Sequence, residues 1–161
     1  MIEFRTALED RLMSIITTTV GTGTDPTHFV RTVDNHIHDF NLTFTPNPWP
    51  FMVVAIRSVE QSGQSEVGVP YDLYMWTVHL YYISLDANFN TGDEKRNFIL
   101  GKLVKKLEED RFLGGLSSTS GGKRERVYDS TISAVLFDFA GQEEEYSFQS
   151  ELYLNVYTQR N

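Results

Sequence analysis

The chain has 161 residues, of which 40% are hydrophobic, and this suits one globular domain with a buried core. It contains no cysteine, which excludes a disulfide scaffold, thiolate catalysis and cysteine-ligated metal. Its net charge of −8, from 22 acidic against 14 basic residues, disfavours binding to nucleic-acid phosphates or anionic lipid, because both depend on clustered Lys and Arg.

Neither end of the sequence indicates a membrane or secretory protein. No apolar run approaches the ~18 residues that a membrane helix needs. The N-terminus MIEFRTALEDRL is charged and amphipathic, without the apolar core of a signal peptide. We therefore expect a soluble, non-secreted protein with a single domain over residues 1–161.

The first predicted element is an amphipathic helix over residues 2–18, which ends at Gly21 and Gly23. Its apolar stripe has helical spacing and consists of Phe4, Leu8, Leu12 and Ile15.

Residues 22–50 are predicted to be an irregular elaboration. Residues 27–33 alternate weakly, which is compatible with a short strand. Three prolines between positions 46 and 50 exclude a helix or a central strand there, so we expect an extended connector.

Two strands are predicted next, over residues 51–60 and 71–86. About ten residues join them, too few for a parallel crossover, which indicates an antiparallel hairpin. The second strand is apolar on both faces, so both faces need cover. One face carries Leu73, Met75, Thr77, His79, Tyr81 and Ile83, and the other carries Tyr74, Trp76, Val78, Leu80 and Tyr82.

A second helix is predicted with its cap at Thr91 or Asp93 and its end near Arg111. Gly114 and Gly115 terminate it. The polar sequence SSTSGGKRER follows, and we expect it to be a mobile loop. The apolar face of this helix consists of Ile99, Leu100, Leu103, Val104 and Leu107.

A second hairpin is predicted from strands over residues 127–139 and 146–158, joined by the turn AGQEEE. The coarse order is α-β-β-α-β-β. The expected fold is α+β, with two helices on one face of a four-stranded antiparallel sheet. Two helices cover only one face, so the other face needs residues 22–50, a ligand or a neighbouring copy.

The best metal-like cluster in the sequence is His36-x-His38, which has aspartates on both sides. A third ligand would have to be His28 or His79, and no predicted element holds the set together. We interpret these histidines as solvent-exposed or interface residues and expect no metal site.

Nothing in the sequence indicates an enzyme. Glu143, Glu144 and Glu145 lie at a predicted hairpin tip, where carboxyls are solvated and poorly suited to acid–base catalysis. GTGTDP lacks the lysine of a phosphate-binding loop, and GGLSSTSGG has no nucleophile-elbow pattern. We expect no catalytic residue and no cofactor.

The long aromatic strand and the exit of the second helix resemble a known family. The features are a strand after a proline-rich entry (NPWPFMVVAI), the strand YMWTVHLYYI, and a helix that ends in LEEDRFLGGLSSTS. The order of Leu107, Asp110, Leu113, Gly114 and Gly115, followed by paired strands, is similar to the tail-terminator (tail-completion) proteins of long-tailed bacteriophages. The similarity spans residues 1–158, and residues 22–45 depart from it.

The resemblance implies a structural virion protein at the head-proximal end of a phage tail, assembled in the host cytoplasm. It implies a homohexameric ring that caps the tail tube, ends tube polymerisation and joins the tail to the head connector. The implied partners are further copies of the chain, the tail tube protein and the connector or neck protein. DNA passes through the lumen without specific binding, which an acidic wall favours, and no membrane is involved.

The residues expected to contact subunits or partners lie on the long strand, at the exit of the second helix and at the last hairpin tip. They are Tyr74, Trp76, Tyr82, Phe112, Leu113, Glu143, Glu144 and Glu145.

An alternative function is a cone-shaped α+β domain that binds a small apolar ligand. In that case the aromatic side chains of the long strand line a pocket. The oligomeric state separates the two hypotheses, because a ring requires a hexamer and a pocket predicts a monomer or dimer.

Overall fold

The computed structural model describes residues 1–35, 49–64, 71–142 and 145–161. Within these ranges the chain forms two helices and six strands. In chain order they are α1 (Ile2–Val20), β1 (Thr32–Asp34), β2 (Phe51–Gln64), β3 (Asp72–Asp86), α2 (Phe89–Glu109), β4 (Ser117–Ser120), β5 (Lys123–Gln142) and β6 (Glu145–Arg160).

The strands form one curled, mixed sheet of six strands in the order β1-β2-β3-β6-β5-β4. β1 runs parallel to β2, and the other neighbouring strands are antiparallel. The predicted four-stranded antiparallel sheet in α-β-β-α-β-β order is therefore wrong. β1 and β4 have only three and four residues, and strands this short carry too little alternation to be recognised in a sequence.

The segment SSTSGGKRER, predicted to be a mobile loop, is a tight hairpin between β4 and β5. The register runs from Ser117 opposite Arg126 to Ser120 opposite Lys123. The turn consists of the two glycines at 121 and 122, whose φ angles of 56° and 75° match the twist of a two-residue hairpin. Positive φ at both positions is the reason that glycine is needed there.

Both helices pack on one face of the sheet and share a single core with it. The stripe predicted on the first helix is buried, and so are four of the five predicted apolar positions of the second helix. The sheet contributes Met52, Val54, Trp76, Val78, Leu80, Tyr82, Phe148, Leu152, Leu154 and Val156 to this core. Neither helix is long and apolar enough to cross a membrane.

β5 does not keep the uniform alternation predicted for residues 127–139. Its register with β6 shifts twice, and Tyr128 and Ser133 are the extra residues of two β-bulges. An extra residue changes the face that the following side chains occupy. Consequently Val127, Ile132 and Val135 all contact the core on the helix side.

α2 begins one turn before its predicted start. Asn88 is the N-cap, and its side-chain oxygen accepts a hydrogen bond from the backbone N–H of Thr91 at 3.1 Å. The early start places Gly92 and Arg96 on the buried side of the helix. Gly92 lies so close to the Phe148 ring that a Cβ at this position would overlap it.

We expect Gly92→Ala to destabilise the protein by about 1–3 kcal/mol, because the added methyl group overpacks the core against Phe148. Gly101→Ala is the matched control in the same helix, since a Cβ there meets nothing within 4 Å. Its expected effect is a stabilisation of about 0.5–1 kcal/mol from helix propensity. Urea denaturation of both variants measures the difference in their free energies of unfolding. Equal values would contradict the close packing of Gly92 against Phe148.

Candidate assembly surface

The long-strand residues predicted to contact a neighbouring copy point into the core of their own chain. Trp76 and Tyr82 are 2% and 0% exposed beneath the helices, and Tyr74 is partly buried against the same core. The assignment of Trp76 and Tyr82 to an intermolecular contact is therefore corrected. α1 covers this end of the strand, as shown by the Phe4 ring 5.4 Å from the Trp76 ring.

Trp76 also anchors a buried polar network at one end of the sheet. Its indole N–H donates to Glu125 Oε1 at 3.0 Å and to Thr158 Oγ1 at 3.2 Å. The Thr158 hydroxyl donates to the same carboxylate oxygen at 2.7 Å. Glu125 and Thr158 are 3% and 0% exposed, so these bonds satisfy groups that water does not reach.

Trp76→Ser should destabilise the monomer by about 3–5 kcal/mol, because it empties a core position and removes a donor from buried Glu125. Tyr74→Ser should cost clearly less, since Tyr74 is only partly buried. Chemical denaturation of dilute protein compares the two. A Trp76→Ser monomer with the same free energy of unfolding as the wild-type protein would show that this side chain does not lie in the core.

The motif that carries the family resemblance has a local physical explanation. Leu107 and Leu113 are buried, and Asp110 caps the helix end, where its carboxylate accepts a hydrogen bond from Gly114 N at 2.9 Å. Gly114 and Gly115 have φ angles of 68° and 71°, a region that L side chains rarely adopt. The motif stops α2 and turns the chain towards β4.

This turn also presents one of the predicted contact residues. Phe112 is 59% exposed, whereas Leu113 beside it is fully buried with φ 50°. Glu145 is exposed at the start of β6. Glu143 and Glu144 lie outside the described residues. Phe112 and Glu145 are thus accessible to a partner, and Leu113 is not.

Large apolar side chains are exposed along one stretch of β5. Leu136, Phe137 and Phe139 are 51%, 55% and 55% exposed. The Phe139 ring lies 5.1 Å from the Phe89 ring at the start of α2. The sequence pattern predicts a strand here. The exposure of these side chains could not be predicted from it, because exposure depends on how far α2 extends over the sheet.

Arg96 joins α2 to this end of β5, and the sequence analysis did not single it out. It is 5% exposed, pairs with Asp93 at 2.7 Å and donates to the Asp138 carbonyl at 2.7 Å. Its guanidinium lies 5.2 Å from the centres of both the Phe137 and Phe148 rings. Arg96 thereby fixes the exposed part of β5 in position.

The face of the sheet opposite the helices carries a row of half-buried polar and aromatic side chains. At its centre the His79 ring lies 4.2 Å from the Tyr153 ring, and His79 Nδ1 lies 3.2 Å from the Tyr81 hydroxyl. The Tyr153 hydroxyl donates to Glu151 at 2.6 Å. Such a face is compatible with water or with a polar partner.

Burial lowers the pKa of His79 from its ordinary value of 6.5, and the charge of Arg57 lowers it further, while Glu151 opposes both. The folded chain therefore holds this proton less firmly than the unfolded chain. The contribution of neutral His79 to the free energy of unfolding is therefore complete above about pH 6.5 and is lost as the pH falls through the pKa of His79 in the folded chain. We expect NMR titration to give His79 a pKa below 6.5, and His79→Gln to flatten the fall in unfolding free energy below that pH. A titration at or above 6.5 would contradict the burial of this ring.

No metal-ligand cluster appears on the described part of the chain. No group of three or more His, Asp or Glu suited to a metal occurs there. His36 and His38 lie outside it, so their interpretation stays a prediction. A groove of about 340 Å³ lies between α2 and β5, and no residue of β3 lines it.

No family model matches the chain, and no curated protein matches its sequence. Among solved structures, the chain is similar to one from the "Virion of native gene transfer agent (GTA) particle". The TM-score is 0.36 at 11% identity, over 96% of this chain and 92% of that chain. A similarity at this level carries no functional conclusion for this chain.

Proposed function

We propose that the chain is a structural virion protein that assembles into a homohexameric ring, caps the phage tail tube and joins the tail to the head connector. The observation that carries self-assembly is the exposed apolar stretch of β5, with Leu136, Phe137 and Phe139 each more than half exposed. Phe137 and Phe139 share the helix side of β5 and Leu136 points to the other side, and exposed apolar side chains grouped in this way are typical of protein–protein contacts. The position at the tail end is supported by the resemblance of residues 107–115 and the strands around them.

The structure also favours assembly over ligand uptake. In the pocket hypothesis the aromatic side chains of the long strand surround a ligand. Trp76 and Tyr82 are instead packed against the chain's own helices, and the groove beside β5 is open and partly polar, with Glu108 and Arg111 on its rim. No observation on the described residues supports the small-ligand alternative.

Of the residues predicted to contact partners, we assign the exposed ones to contacts between the ring and other tail proteins. Phe112 projects from the turn after α2, and Glu145 lies at the start of β6. We assign Phe112 to docking on the tail tube or the neck, since a ring that caps a tube must bind a different protein on each side. The net charge of −8 supports free passage of DNA through the lumen.

The ring is tested by light scattering coupled to size exclusion, together with negative-stain images of the purified protein. We expect rings of six 18.5-kDa chains, either alone or after addition of tail tube protein. The apolar dye ANS tests the alternative hypothesis of an apolar ligand pocket. We expect the folded chain to increase its fluorescence only slightly. A strict monomer at high concentration, both alone and with tube protein, would rule the proposal out.

A further inference from the structure

Among the residues that the structure describes, the sheet has a long stretch without a strand partner on each side. β4 covers β5 only at residues 123–126, and the Leu116 carbonyl then accepts from Val127 N at 2.9 Å. Arg111 Nε next donates to the Ser130 carbonyl at 3.2 Å. In the described ranges, no strand pairs with this side of β5 over residues 131–142.

The opposite edge is open in the same way. β1 pairs with β2 only at residues 51–53. Over residues 54–64, the outer side of β2 has no strand partner among the residues that the structure describes. Unpaired backbone N–H and C=O groups along such an edge are ready to pair with another strand.

The directions of the strands make the two edges complementary. β2 pairs antiparallel with β3, β3 with β6, and β6 with β5, so β2 and β5 run in opposite directions. A second copy that is moved sideways, without being turned over, therefore brings its β2 antiparallel to β5 of the first. Both pairs of helices remain on the same face of the combined sheet.

The open edges overlap in height along the strands over a few residues. Register carried across β3 and β6 places Val54 level with Val135 and Ile56 level with Ile132. At this height only these few residues are open on both edges, so the pairing needs the second copy to be displaced along the strands by about four residues, which brings Val54 opposite Phe139. β5 offers a regular edge for this displaced pairing, since its register with β6 is uninterrupted from Ala134 to the hairpin turn.

This part of β5 has little of the usual protection of an exposed edge, and one backbone group in it is already bonded, since Asp138 Oδ1 accepts a hydrogen bond from Phe139 N at 2.8 Å. Native edges are commonly blunted by charges, prolines or bulges. Both bulges of β5 precede Ala134, and Asp138 is the one charged residue in positions 134–142. The exposed Phe137 and Phe139 rings lie on the helix side, where a neighbour's α1 would cover them because α1 packs over β2.

We propose that β5 of each copy pairs antiparallel with β2 of the next, so that the sheet continues from subunit to subunit. This inference rests on the proposed ring and names its interface. The contact uses different surfaces on the two copies, and such head-to-tail contacts close into rings when the rotation permits. The occupant of the open edge is thus a second copy of the same chain.

The test compares two exposed phenylalanines. Phe137→Asp places a charge at the proposed interface and should raise the concentration needed for half-assembly about tenfold or more. Phe98→Asp is the matched control, because this ring is also exposed but lies on α2, away from the β5 edge. It should leave the ring intact. Circular dichroism and thermal melting confirm that both variants are folded.

Hydrogen exchange provides a second measurement that does not depend on a substitution. In the assembled protein, amides in residues 54–61 and 132–139 should exchange several-fold more slowly than in the folded Phe137→Asp monomer. Rings that persist in Phe137→Asp with fast exchange at both edges would overturn the edge pairing and leave the ring proposal standing. Absence of rings from the wild-type protein would overturn both.

Discussion

The antiparallel pairing of β3 with β6 holds the two halves of this protein together. Fifteen consecutive residue pairs run without interruption from Asp72 opposite Arg160 to Asp86 opposite Tyr146. β2 and β3 form one hairpin and β5 and β6 another, so this ladder is what joins them into a single sheet. A hairpin alone is marginally stable in water, whereas a joined sheet with an apolar face can bury two helices.

The packing of that face is the reason that we propose assembly through the edges of the sheet. The helices use the most apolar side of β3, where Trp76 and Tyr82 are buried, and the indole N–H is held by Glu125 and Thr158. Little apolar surface of the long strand is then left for a partner on that side. Leu136, Phe137 and Phe139 remain exposed on the part of β5 where Arg96 of α2 meets the sheet.

The helices and the long strands could be predicted from the sequence because each depends on a period that runs through many residues. The short edge strands could not, since β4 is a polar segment that is a strand only because β5 lies beside it. The side-chain directions along β5 could not be predicted either. Each of its two bulges adds a residue that reverses the alternation, and no distinct residue type marks a bulge in the sequence. The candidate site was the least predictable part, as exposure depends on where neighbouring elements end.

The sequence by itself determined that this is a cysteine-free, acidic α+β chain with two amphipathic helices and a long aromatic strand. It also determined the stop of α2, where Asp110 and the glycines at 114 and 115 act through local backbone chemistry. Only the tertiary structure decided which face of the aromatic strand is buried, because both faces are apolar and periodicity cannot choose between them. It likewise decided that the short strands β1 and β4 lie at the two edges and, within the described ranges, leave most of β2 and part of β5 without a strand partner, since the order of strands is set by contacts between distant segments.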